Sequence, residues 1–362
     1  MEFTADLNKV KQKINEIAPS KYAKTRNFID GSVTRLSPYI SRGVISTKMV
    51  FQNLTERGYN INNAEKIIQE LAWRDYWQQI WVAKKDLINE DLKRPQEGVE
   101  NREIPTALLN ADTGIQGVDS GINELYETGY MHNHVRMYTA AITCNIGKSA
   151  WKNPAKWMYY YLVDGDWASN ALSWQWVAGS NAGKKYYANQ NNINKYTYTR
   201  QSGTFLDVDY TDFENMSIPE VLRDTSIPEL KTKLPETNVT HIDPALPVYL
   251  YNWYNLDPEW DADVRANRVL LLEPSIFEKY PISGKSVKFM LELSKNIDGI
   301  QVFTGEFEEF TKAYGVSNVH YKEHPLNEAY IGTQHERDRM FDVTGYYRSF
   351  FSIFKKCKKS MK

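Results

Sequence analysis

The 362-residue sequence predicts a mainly α-helical domain over residues 1–206 and a smaller α/β domain over residues 246–362, joined by a Pro-rich linker at 207–245. Three observations carry this division. Apolar residues recur at helical spacing through the first part, with no alternating strand pattern. Pro219, Pro228, Pro235 and Pro244 then recur among Thr, Ser, Asp and Glu, the composition of a segment draped over a surface. Beyond residue 246, short apolar runs of strand length alternate with helical stretches, the pattern of βαβ units and a parallel sheet.

Taken in order, residues 10–17 form an amphipathic turn or two, ended by Pro19. Residues 46–54 and 64–85 have helical spacing, and residues 122–126 and 131–146 follow, separated by a break at Thr128-Gly129. Residues 157–163 lead into a Trp-rich stretch. In the last part, residues 248–251, 269–272, 300–303 and 318–321 are strand candidates, residues 286–297 are helical, and residues 343–359 close the chain as a helix. No G-x-G-x-x-G is present, so a dinucleotide site there has no motif support. There is no internal repeat and no low-complexity segment.

Composition narrows the function classes. With 42% hydrophobic and 25% charged residues the chain is globular rather than disordered. The 24 Tyr and 10 Trp suit a stacked cofactor or stacked bases, and equally a Tyr-rich core. Cys144 and Cys357 are the only cysteines, too few for a disulfide framework or a Cys-ligated iron–sulfur cluster. A cytoplasmic location is expected: the opening MEFTADLNKVKQK lacks an apolar run, and no run approaches the ~18 residues of a membrane span. Net charge is −1, but residues 1–206 carry 25 Lys and Arg against 20 Asp and Glu, and the remainder 19 against 25. The first part has the balance to meet nucleic acid, or simply a mixed-charge surface; the second does not favour it.

Four constellations hold the chemistry. In the first, Tyr22 and Arg26 precede Thr34-Arg35-Leu36-Ser37-Pro38, where hydroxyls stand at a helix entry; such a place is a cap or a phosphate seat. In the second, Glu70, Trp73, Arg74 and Trp77 share a helical face by i, i+3, i+4, i+7 spacing, either a Trp-rich core stripe with Trp81 or a binding face. In the third, TGYMHNHVRM at 128–137, His132 and Arg136 share a face, as do Asn133 and Met137. His132 and His134 lie two apart on a helix and point opposite ways, and no third ligand is placed, so no metal is expected. In the fourth, YYLVDGDWASNALSWQW at 160–176, Asp164, Asp166 and Asn170 are interleaved with Trp167, Trp174 and Trp176. Two carboxylates could serve as an acid/base pair, but two residues apart they more naturally hydrogen-bond a ligand and balance Arg136.

In this order the four blocks resemble the photolyase/cryptochrome family over residues 20–190. ELAWRDY is similar to its E-L-x-W-R-E-F/Y segment, TGYMHNHVRM to its T-G-W-M-H-N-R-x-R-M, and the 164–176 run to its DGD-x-A-x-N-x-x-x-WQW signature. The resemblance implies an FAD-binding helical domain with a U-shaped cofactor cradle. Its cofactor residues would be Tyr22, Thr34, Arg35, Leu36, Ser37, Arg74, Asn133, Arg136, Asp164, Gly165, Asp166 and Asn170. Of these, Thr34–Ser37 would hold the diphosphate, Arg136 would pair with Asp164 beside the isoalloxazine, and Asn170 would face flavin N5. Glu70, Trp73, Asn133, Met137 and Trp176 would form the lesion pocket, with Trp73 and Trp176 stacking on the damaged bases. Arg26 and His134 would meet DNA.

Departures matter as well. Asp75 replaces a Glu, and Tyr130 replaces a Trp. His134 replaces an Arg, which implies weaker and pH-sensitive DNA binding. Trp151 and Trp174 match two electron-relay positions, but the third falls near Gly98, in DLKRPQEGVENREIP, where there is no Trp. Trp157, Tyr159 and Tyr160 are the candidate substitutes, each also a core candidate. The family's amino-terminal antenna domain has no counterpart before the flavin motifs. Residues 249–307 loosely resemble it, as a Rossmann-like domain relocated after them, and no antenna chromophore is assigned.

The implied activity is repair of cyclobutane pyrimidine dimers in UV-damaged DNA, by an electron passed from excited reduced FAD to a flipped-out lesion. Asn170, an amide rather than an acid, leans toward repair. The alternative is a non-catalytic, cryptochrome-like blue-light receptor signalling through its carboxy-terminal domain; a third reading is RNA or single-strand binding without catalysis. A (6-4) specificity is disfavoured, since no His falls where its acid is expected. A monomer without membrane association is expected.

Overall fold

The computed structural model of the chain describes residues 3–360. It begins with α1 (Leu7–Asn15), whose first turn is capped by Asp6 accepting from the backbone N–H of Asn8 and Lys9. There follow α2 (Pro19–Thr25), α3 (Ser37–Ser41), α4 (Thr47–Glu56) and the 24-residue α5 (Ile61–Lys84). Pro19 opens α2 as well as limiting α1, because proline's missing N–H is no loss in a first turn.

A two-residue strand β1 (Ile104–Pro105) and the short α6 (Thr106–Leu109) lead to α7 (Gln116–Thr128), which ends at Gly129 in the left-handed conformation. Next come α8 (Asn133–Ala141), a π-helical turn (Ile142–Ile146), α9 (Lys152–Tyr161), α10 (Trp167–Ala178) and α11 (Gln190–Thr197). The segment expected as a loose linker is anchored: Phe213 and Leu222 are buried, and β2 (Thr225–Ser226) pairs antiparallel with β1. That pairing is a correction to the strand-free reading of residues 1–206. A two-residue strand is too short to show alternation.

The remaining elements are β3 (Val248–Tyr251), β4 (Asn267–Leu272), α12 (Pro274–Lys279), α13 (Gly284–Ser294), β5 (Ile300–Thr304), α14 (Phe307–Tyr314), β6 (Val319–Lys322), β7 (Thr333–His335) and α15 (Phe350–Ser360). The five strands form one parallel sheet in the order β5-β4-β3-β6-β7. One face packs Val248, Leu250, Val269, Leu271, Val319 and Tyr321 against Phe307, Phe310 and Tyr330. The other face is held by buried Arg268, which donates to Tyr251 Oη (2.8 Å) and to the carbonyls of Trp260, Asp261 and Val264. Helix α15 starts seven residues later than the hydrophobic pattern suggests, after an irregular approach that includes Gly345 at φ 99°.

The chain divides into two compact units that interleave in sequence, unlike the serial three-part division expected. The first gathers residues 1–19, 34–83 and 231–362; the second gathers residues 20–33 and 84–230. The reason that α5 joins the sheet lies in the loops after β3 and β6. Tyr254 stacks on His324 at 4.4 Å, Trp81 of α5 meets both rings edge-on, and the Arg42 guanidinium lies 3.2 Å from the centre of the Trp253 ring.

Candidate functional site

In the second unit, the candidate residues sit on α8, α10 and the turn before α10. Arg136 Nη2 donates to both carboxylate oxygens of Asp164, at 3.0 and 2.9 Å, and its Nε donates to Met131 O. The Asp164 side chain is almost fully buried and that of Arg136 about four-fifths so. A buried pair of this kind persists only with good geometry and further hydrogen bonds, because both ions have lost water. Gly165 follows where a Cβ would stand 2.9 Å from Leu162 O, so the turn admits no side chain. Asp166 caps α10, accepting from Ser169 N–H at 2.7 Å.

Asn170 is the most informative side chain. Its Nδ2 donates to Ala155 O of α9 at 2.8 Å, and only an amide NH2 can make that bond. The amide is therefore fixed in orientation, and its Oδ1 accepts no hydrogen bond from the described residues. That oxygen is left free to accept from a solvent or ligand donor.

Asn133 is exposed at the start of α8, its Nδ2 4.0 Å from Met137 Sδ. Trp176 is 39% exposed, its recorded ring neighbour Tyr186 tilted at 5.9 Å. Trp174 is buried. His134 is half-buried between Tyr138 and Tyr196. Burial, and secondarily the Arg26 charge, push its pKa down to about 4. That places any pH response of the imidazole in the acid range rather than near neutrality. Tyr22 and Arg26 lie one turn apart, with Arg26 N–H donating to Tyr22 O.

Trp151, the end of the expected relay, is buried and donates its indole N–H to Asp91 Oδ1 at 2.8 Å. Sequence reasoning missed Asp91, although it opens the stretch searched for a third Trp. Of the candidate substitutes, Trp157 donates to Tyr126 Oη, and Tyr126, Tyr161 and Tyr160 follow at ring separations of 4.7 and 4.9 Å. Tyr159 instead meets Trp167 edge-on.

In the first unit, Arg35 adopts a left-handed φ of 52° and Thr34 Oγ1 accepts from Leu36 N–H, a turn that delivers the chain to Ser37 at the start of α3. On α5, Arg74 Nη1 donates to Ser41 Oγ at 2.7 Å, tying the helix to α3. Glu70 is part-buried. Trp73 stacks face to face on Phe350 of α15. The next residue but one, Asp75, accepts from Thr47 Oγ1 and from Met340 N–H at 2.8 Å. Burial pushes its carboxyl up to about 6, against the lowering effect of those bonds and of Arg337 and Arg339. Among the described residues no group of three or more His, Cys, Asp or Glu could hold a metal ion, and no helix is long and apolar enough to cross a membrane.

Residues 67–210 match the family model described as the FAD binding domain of DNA photolyase. This segment belongs to the photolyase/cryptochrome family. Among curated relatives, the deoxyribodipyrimidine photo-lyase of Alkalihalophilus pseudofirmus is 28% identical over 194 residues, 52% of this chain and 40% of that protein. That of Thermus thermophilus is 32% identical over 165 residues, 44% of this chain and 38% of that protein. The chain thus spans about two-fifths of the length of these relatives. Among solved structures, a cryptochrome from Synechocystis matches with a TM-score of 0.47 at 22% identity, over 61% of this chain and 48% of that one. A class III photolyase from Agrobacterium tumefaciens matches with a TM-score of 0.46 at 22% identity, over 58% and 53%.

Proposed function

We propose that this chain is a light-driven photolyase that splits cyclobutane pyrimidine dimers in DNA. The observation that carries the reading is Asn170: an amide locked by Ala155 O, with its carbonyl oxygen unmet. That oxygen suits the N5–H of a reduced flavin, and it cannot donate a proton as an aspartic acid would. The donor set fits the cofactor. Arg136, balanced by Asp164, holds a fixed positive charge where an isoalloxazine edge would want one, and Asp166 anchors the helix that presents Asn170. By resemblance, Tyr22, Thr34, Arg35, Leu36, Ser37 and Arg74 would hold the rest of FAD.

When bound and reduced, FAD supplies the excited-state electron, and the electron's return leaves the reaction redox-neutral. The side chains of this chain bind and orient. Glu70 hydrogen-bonds the flipped bases, Trp73 and Trp176 stack on them, and Asn133 and Met137 shape the pocket. Arg26 contacts phosphate. Trp174 and Trp151 carry electrons inward, with Asp91 at the outer indole.

The sheet supports a Rossmann-like reading: counted from β3, its order is 3-2-1-4-5, that of doubly wound nucleotide-binding sheets. The reading extends to a relocated antenna-type domain. A second function, a cryptochrome-like receptor signalling through the carboxy-terminal segment, is favoured by one observation, the stacking of Phe350 on the half-buried Trp73.

The deciding experiment is direct. The purified chain is assayed for flavin by its spectrum, then reduced and illuminated with dimer-containing oligothymidine. Bound flavin and light-dependent loss of dimers are expected. Absence of flavin would overturn both readings; flavin without repair, even when chemically reduced, would leave the receptor.

A further inference from the structure

Within the first unit, the face of α5 that carries Trp73 is covered by the chain's own carboxy-terminal segment. Phe350 lies on Trp73 with ring centroids 3.7 Å apart and planes 11° apart. Tyr76 meets Trp73 edge-on and Trp77 meets it tilted, at 5.7 and 5.0 Å, so the close parallel contact belongs to Phe350. Phe350, Ile353, Phe354 and Cys357 turn one side of α15 inward, while Phe351 on the other side is 66% exposed. The approach to the helix is tied down as well. Met340 N–H donates to Asp75, Gln79 Nε2 to Val343 O and Tyr76 Oη to Tyr347 O, and Lys358 pairs with Glu65.

Several features make this seam one the protein can open. A small void of about 10 Å³ remains between α5 and the segment, lined by Ala72, Asp75, Gln79, Phe350 and Cys357 among others. Gln79 Oε1 is buried there with no partner, and the Asp75 carboxylate has been drawn out of water. The chain between β7 and α15 has no helix or strand, and at Gly345 the left-handed backbone has open space around it. Residues 344–359 carry Arg348, Lys355, Lys356, Lys358 and Lys359 and no acid, a charge suited to a phosphate backbone once the segment swings away.

We infer that the Trp73 face takes one planar ring at a time, that Phe350 is its resting occupant, and that an unpaired nucleobase must displace Phe350, with α15, to stack there. The inference rests on the reading of Trp73 as a base-stacking residue. Stacking of a base on an indole and of a phenyl ring on an indole are of similar strength, so the exchange is one of near equals, tipped by the phosphate contacts of the incoming strand.

The test uses the full chain and labelled dimer-containing oligothymidine, with affinity read in the dark. Phe350→Ala should bind at least tenfold tighter than the parent at equal flavin content, whereas Phe350→Trp, which keeps a ring in place, should not. Ala72→Cys, oxidised to Cys357 across the void, should lose binding and regain it on reduction. Unchanged affinity in a folded Phe350→Ala protein, with Trp73→Ala still weakening binding, would overturn the displacement and leave the site standing. If Phe350→Ala does not fold, unchanged affinity in the oxidised cross-linked protein overturns it instead. No effect of Trp73→Ala in either background would overturn the reading of the site, and this inference with it.

Discussion

Trp73 and Trp176 are assigned the same task by family resemblance, yet one is half-buried beneath a stacked ring and the other is exposed. Trp73, in the first unit, lies under Phe350 and beside Tyr76 and Trp77. Trp176, in the second, keeps 39% of its surface exposed. A local motif specifies the residue and its helix face. Whether that face is open depends on segments far away in sequence, here a terminal helix that covers one indole. Trp176 is exposed on a helix whose other tryptophans, Trp167 and Trp174, are buried, so its proposed contact with a base requires no rearrangement of the helix. Trp73 is a contact residue only if its cover moves.

The largest effect should come from the open side. Asp164→Ala leaves Arg136 part-buried with its principal charge partner removed. Loss of about 3–5 kcal/mol is expected in denaturant unfolding, together with loss of co-purifying flavin. The seam over Trp73 should not respond, so hydrogen exchange of the α15 amides should match the parent. If α15 loosened as well, the contrast between an open and a closed surface would fail.

On the closed side the sharpest probe is pH. Asp75 binds its proton more tightly beneath the carboxy-terminal segment, at about 6, than its ordinary value of 3.8. Its burial therefore opposes folding when it is charged. The docked seam is most favoured below about pH 4, loses stability as pH rises towards 6, and carries the full penalty above that, on the order of 3 kcal/mol. Exchange of the α15 amides, corrected for intrinsic rates, should speed up between pH 5 and pH 7.5, and Asp75→Asn should flatten the profile. Burial of His324 works in the opposite sense, since its pKa is lowered and acid must charge it on unfolding. That contribution is common to parent and variant, so the difference between them isolates Asp75. A parent profile as flat as the variant's would remove the idea of a strained seam.

Trp73→Ala should cost about 2–3 kcal/mol, from the lost stack and the gap left beneath Phe350. Trp73→Phe should recover most of it.

None of this seam could be read from the sequence, although much else could. The break at Gly129, four strands of the sheet and the motif helices follow from periodicity within a few residues. β7, Thr-Gln-His at the sheet edge, is too short and polar to carry a strand signal. α11 has a single fully buried aliphatic, Ile193, and its amphipathic pattern shows only once the neighbouring helices are in place. Phe350 reads as an apolar residue of a terminal helix; its partner Trp73 is named only by tertiary packing. Asn170 reads by resemblance as the amide that would face flavin N5, but the orientation of that amide depends on Ala155 O, which no local pattern supplies.

The smallest change in stability should accompany one of the larger changes in binding, at Trp176. Its exposed ring has little buried area to lose, so Trp176→Ala should shift unfolding by less than about 1 kcal/mol. A base stacked on that ring contributes roughly 1–3 kcal/mol, so affinity for dimer-containing oligothymidine should fall about tenfold to a hundredfold, with flavin content unchanged. A Trp176→Ala protein that binds as tightly as the parent would show that exposure alone misled, and that neither tryptophan's surroundings report its use.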